Sequence, residues 1–131
     1  MQSEIILEAC VDSIEGALAA EAGGAGRIEL CAALSEGGLT PSAGVIAVAR
    51  QRVGIAAHVM IRPRGGDFLY TDVEFAAMQR DAEMAKRLGA AGVVFGLLLP
   101  DSSIDLARTR QLVEQSQPMS VTFHRAFDMT A

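Results

Sequence analysis

Two short stretches repeat one pattern. Leu7-Glu8-Ala9-Cys10 and Ile28-Glu29-Leu30-Cys31 each read apolar, Glu, apolar, Cys. In an extended strand alternate side chains share a face, so each glutamate stands on the side of its own cysteine. If the two stretches pair as neighbours, roughly 4.8 Å apart, both thiols come within reach of one soft ion. Thiolate and thioether donors suit Cu(I), so Cys10, Cys31 and Met60 form a candidate metal set, with His58 as an auxiliary ligand. The alternative is that both cysteines are small buried hydrophobes, a role free cysteine often fills.

The glutamates allow a second chemistry. If Glu8 and Glu29 face each other, each raises the other's affinity for protons, which suits acid/base work, with His124 as a further proton carrier. A structural ion pair with Arg27 or Arg62 would instead silence them. A third constellation is cationic. Arg62, Arg64 and Arg125, beside the flexible Gly65-Gly66 pair, have the character of a site for phosphate or carboxylate. Asp67 and Asp128 read as loop acids with capping roles.

These residues need a frame, and the chain supplies one by alternation. Glu4 to Cys10, Arg27 to Cys31, Ala56 to Arg62, Gly92 to Leu98 and Met119 to Phe123 read as strands. Pro63 ends the third, having no N–H for a ladder. The fourth has no polar alternation, as expected of a strand buried on both faces. Between the strands lie four helices. The first has Asp12 as N-cap with Glu15 at capping-box spacing, and stops at Gly23-Gly24. The second starts at Thr40 with Pro41 in its first turn and runs to about Arg52. The third opens on the capping box Thr71-Asp-Val-Glu74 and carries Phe75, Met78 and Ala82 inward, with Met84 also assigned to the core. The fourth runs from Ile104 to about Ser116. The order βαβαβαβαβ argues for parallel strands with helical crossovers, in an open sheet or a (β/α)-barrel. No GxGxxG or GxxxxGK[ST] follows a strand, and the unusual residues cluster at the C-terminal strand ends, where barrels place chemistry. The expectation is one α/β domain over 1–131, a TIM-barrel-like arrangement of about five strands and four helices out of eight.

Composition narrows the partners. With 131 residues, half of them hydrophobic, and a net charge of −5 without a basic run, a nucleic-acid partner is disfavoured. Glu4 and Glu8 argue against a signal peptide, and the uncharged run from Leu88 to Pro100 is too short to span a bilayer. Two cysteines on that background suggest free thiols in the cytoplasm.

Five segments, in order, carry a resemblance: Cys10-Val-Asp-Ser13, Arg27-Ile-Glu-Leu-Cys31, Gly37-Gly-Leu-Thr-Pro-Ser42, Met60-Ile-Arg-Pro-Arg-Gly-Gly-Asp-Phe68 and Thr122-Phe-His-Arg-Ala-Phe-Asp128. Together they resemble the CutC copper-homeostasis family. The resemblance implies a cytosolic TIM-barrel-like protein linked to copper tolerance, binding Cu(I) through two cysteines that match Cys10 and Cys31. It also implies a longer barrel, of which this chain matches the N-terminal part. Bare edges on the first and fifth strands then lead to the expectation of a homo-oligomer. The rival expectation is an enzyme acting on a small anionic metabolite, with the arginines binding it and Glu8, Glu29 or His124 moving protons.

Overall fold

The computed structural model describes residues 5–131. The expected strand start at Glu4, and the acidic leader on which the signal-peptide reading partly rests, lie outside them. Five strands alternate with four helices: β1 (Glu8–Val11), α1 (Ile14–Ala22), β2 (Arg27–Leu30), α2 (Ala43–Arg52), β3 (Ala56–Met60), α3 (Asp72–Arg87), β4 (Gly92–Phe95), α4 (Leu106–Ser116) and β5 (Ser120–Phe123). Short 3-10 turns follow β2 and β5. The five strands pair in parallel and their spatial order is β1-β2-β3-β4-β5. That order decides between the two architectures. A doubly wound sheet reverses direction at a switch point. Here each crossover steps the same way, so right-handed connections put every helix on one face. The other face is left to line a lumen, as in a TIM barrel.

The two faces differ in what they bury. Ile28, Leu30, Val59, Ile61, Val93 and Phe95 point to the helices and join Ile46, Met78 and Leu112 in the main core. On the lumen side Cys31, Met60 and Val94 form a separate small cluster. Burying a side chain of that size contributes about 1.5–3 kcal/mol, so the helix face carries most of the fold's stability. All four residues of β4 are buried, which accounts for its lack of alternation.

The helix starts show where local rules were outcompeted. The N-cap of α1 is Ser13 and not Asp12, because the Ser13 hydroxyl accepts from Gly16 N at 2.9 Å. Likewise α2 is capped by Ser42, which accepts from Val45 N. Thr40, expected in that role, is committed elsewhere: its hydroxyl accepts from Arg62 N at 2.8 Å, and its own N–H donates to Arg62 O. Those bonds tie the loop after β2 to the end of β3. In α4 the cap is Asp105, so the helix begins at Leu106 rather than Ile104. Only α3 starts as the sequence indicates, with a complete Thr71–Glu74 capping box. Met78 is fully buried, but Met84 lies on the exposed side of α3 and is not a core residue.

Candidate metal and ligand site

The strand parity puts Glu8, Cys10, Arg27, Glu29, His58 and Met60 on the lumen face. The register then decides which of them meet. Glu8 is level with Arg27, Cys10 with Glu29, and Glu29 with His58. Hence Glu8 binds Arg27 Nε at 2.5 Å, in the ion pair that was the alternative to an acid/base role. Cys31 stands one pleat beyond Glu29, and its N–H continues the ladder to Val11 O. The thiols therefore meet on a diagonal, with 3.8 Å between Cys10 Sγ and Cys31 Sγ. Glu29 Oε1 lies 3.7 Å from Cys31 Sγ and 4.0 Å from Cys10 Sγ. These three donors all fall within 4.8 Å of one another.

The electrostatics of this cluster run against charge. Desolvation pushes the Cys31 thiol far up, and the neighbouring Cys10 and Glu29 push it further. Cys10, exposed where Cys31 is buried, is raised by desolvation and by three nearby acids, Glu29, Glu8 and Asp12. Glu29 is itself raised, first by burial and then by a hydrogen bond with Glu8. Both thiols thus hold their protons until something displaces them.

The remaining candidates separate. Met60 packs beside Cys31: a Cβ built on Gly38 would stand 3.2 Å from Cys31 Sγ and 3.6 Å from Met60 Cε. His58 is buried against Gly92 and does not join the thiol group. Its pKa is lowered by desolvation and then by Arg27, so it belongs with the Glu8–Arg27 pair.

Above the thiols is a cavity of about 260 Å³, walled by Met60, Phe68, Val94, Arg62, His124 and Arg125, with Glu29 and Gly37 also bordering it. Arg62 is 2 % exposed. Its Nη1 donates to Glu36 O at 2.7 Å and to Gly38 O, its Nη2 donates to Gly66 O, and its plane lies over Phe68. His124 Nδ1 accepts from Ala126 N at 3.1 Å, which leaves the ring proton on Nε2, where it has no acceptor. Desolvation and the positive charges of Arg62 and Arg125 push its pKa down to about 4.

Arg64 is not part of this group. It turns away to Glu74 at 2.6 Å and Asp67 at 3.1 Å, with its plane over Tyr70. Sequence spacing could not separate it from Arg62, because a turn at Pro63 intervenes. Gly37 and Phe68 line the cavity although neither stands among the candidate residues from the sequence; both lie in segments that carry the family resemblance. The signal for Gly37 was its place in the Gly37-Gly38 pair just after Cys31.

Residues 5–131 match the CutC family over their whole length. The chain belongs to the CutC family. A CutC family protein of Chromobacterium violaceum is 57% identical over 124 residues, covering 95% of this chain and 50% of that protein. The human copper homeostasis protein cutC homolog is 56% identical over 124 residues, covering 95% of this chain and 45% of its own length. The chain thus spans about half the length of the curated relatives it matches. A crystal structure of a CutC from Streptococcus agalactiae superposes with TM-score 0.91 at 37% identity, covering 98% of this chain and 62% of that one. A rubisco-like protein from Burkholderia fungorum, 16% identical with TM-score 0.59 over 95% of this chain and 31% of its own, shares the fold alone.

Proposed function

We propose that this CutC chain serves copper homeostasis by holding Cu(I) between Cys10 and Cys31, with the Glu29 carboxylate alongside and the Met60 thioether as auxiliary. One observation carries the reading: the 3.8 Å separation of two thiols drawn from neighbouring strands. The copper-homeostasis names of the mouse and human relatives support it. The donor set fits the ion, since Cu(I) prefers sulfur ligands and accepts low coordination numbers. Binding would release the thiol protons that burial now retains. Free cysteines accord with a reducing compartment such as the cytosol, and among the described residues no helix is long and apolar enough to cross a membrane. An anaerobic Cu(I) competition titration tests the proposal. Wild type should outcompete the Cys10→Ser/Cys31→Ser double variant for the ion, and equal affinities would overturn it.

A second reading is an enzyme acting on a small anionic metabolite. What favours it is Glu29, a raised carboxyl bordering a cavity that also holds His124 and two arginines. A carboxyl whose pKa is raised by burial holds its proton more firmly than a free one, which suits a general acid. Turnover of a phosphorylated or carboxylated metabolite that Glu29→Gln abolishes would establish it. A panel of both classes left unchanged by the wild type would remove it.

Among the described residues β1 and β5 each pair on one side only. Bare parallel edges favour association with further strands, from the rest of a barrel or a second copy. Light scattering on this chain should give more than the monomer mass.

A further inference from the structure

Arg62 and Arg125 come together at Gly37. A Cβ on that residue would collide with Arg125 Nη2 and stand 3.1 Å from Arg62 Nη1. Two guanidinium groups are thus stacked over one bare backbone position, and Gly37 also has φ +87°, which only glycine adopts readily. Among the described residues neither guanidinium has a carboxylate partner. For Arg62 that is costly. Its hydrogen bonds run from Nη1 and Nη2 to the carbonyls of Glu36, Gly38 and Gly66, which leave Nε without an acceptor and the charge uncompensated in a buried position. Arg125 is exposed and could take its charge into solvent, yet it lies beside a like charge. Close to both is the His124 Nε2–H donor, which has no acceptor.

Two guanidiniums without a carboxylate in salt-bridge contact and an imidazole N–H without an acceptor line the same cavity, an arrangement suited to a negative ligand group. Met60, Val94 and Phe68 supply the apolar part of the lining, with Phe68 packed against both Arg62 and His124. We propose that Arg62, Arg125 and His124 bind the oxyanion head of a small molecule, a carboxylate or a phosphate, whose body rests against Met60, Val94 and Phe68. The volume of about 260 Å³ exceeds what a bare phosphate needs and suits a compact organic anion. Arg64, the third arginine of the same sequence stretch, takes no part, being occupied by Glu74 and Asp67.

This site goes beyond the metal reading and needs no thiol. It deepens the enzyme reading by assigning that reading's anion to particular residues, and a binding measurement without turnover judges it separately. The experiment is a calorimetric titration of the whole chain with inorganic phosphate in one arm and isobutyrate in the other, at ionic strength matched with sodium chloride. Saturable binding in either arm, weakened at least about tenfold (~1.4 kcal/mol) by Arg125→Ala, is the expected result. The arm that saturates more tightly names the source of the oxyanion. Arg125 is exposed, so its removal leaves the fold intact, and Arg64→Ala should bind as wild type does. Absence of saturable binding in both arms, or full affinity in Arg125→Ala, would overturn the proposal. A failed enzyme reading with intact binding would leave the site standing.

Discussion

Cys10 is level with Glu29 and not with Cys31, so the two thiols meet across a diagonal of the β1–β2 pair at 3.8 Å. If both grip one Cu(I), their contributions are coupled. Removing either thiolate should cost most of the affinity, and removing the second should cost little more. A double-mutant cycle on Cu(I) affinity with Cys10→Ser and Cys31→Ser is expected to show a coupling of about 1–3 kcal/mol. Additive losses would mean two independent sites, which the geometry does not allow.

The same register explains which parts of the site were legible in the sequence. Strand parity put Glu8, Cys10, Glu29, Cys31, His58 and Met60 on one face, because parity follows from spacing within a strand. Which of them meet depends on how one strand slides along the next, and no local pattern encodes that. Two repeated Glu-x-Cys stretches invite an in-register pairing of Glu with Glu. The structure pairs Glu8 with Arg27 instead. The β/α alternation and the unusual residues at the C-terminal strand ends already favoured a barrel, and the sheet order without a reversal bears that out. Thr40 shows the limit at a helix start: a good N-cap residue was withdrawn by two hydrogen bonds to Arg62, some twenty residues away in sequence.

His124 makes the fold sensitive to acid. Its pKa is pushed down to about 4 in the folded chain, first by burial and then by Arg62 and Arg125. An unfolded histidine titrates near 6.5. Between those values the unfolded chain binds a proton that the folded chain refuses, so stability falls as pH drops through that window. Above about 6.5 the group contributes nothing to the pH dependence, and below about 4 the loss is complete. The ceiling of the effect is about 3 kcal/mol. Chemical denaturation from pH 7 to pH 4 should show this slope, and His124→Asn should reduce it, since the Asn carbonyl can still accept from Ala126 N. An unchanged slope in that variant would place the sensitivity elsewhere.

Gly38 is the hinge between the thiols and the arginines. Its φ of +94° costs a residue with a Cβ about 1–2 kcal/mol. A Cβ there would also press on Cys31 Sγ at 3.2 Å and on the end of Met60. Gly38→Ala should therefore lower stability by at least about 1 kcal/mol and weaken Cu(I) binding as well. Thermal melts and the Cu(I) competition assay read the two effects separately. Wild-type values in both would mean that this loop does not press on the metal site.

Arg64 and Thr71 converge on one carboxylate. Glu74 accepts from Thr71 N at 2.8 Å and from Arg64 Nε at 2.6 Å, while Thr71 Oγ1 accepts from Glu74 N. The cap is local and closes the first turn of the longest helix, so Thr71→Ala should cost about 1 kcal/mol. The ion pair is partly exposed, and a pair in that setting contributes little, less at high salt. Arg64→Ala should thus destabilise by no more than the cap variant does, with a loss that shrinks as sodium chloride is added. The salt response distinguishes the two, because the hydroxyl cap carries no charge. Urea titrations of both variants at low and high salt make the comparison. A salt-independent loss in Arg64→Ala would show that its stacking on Tyr70 and its bonds to backbone carbonyls, rather than its charge, hold the turn after Pro63 in place.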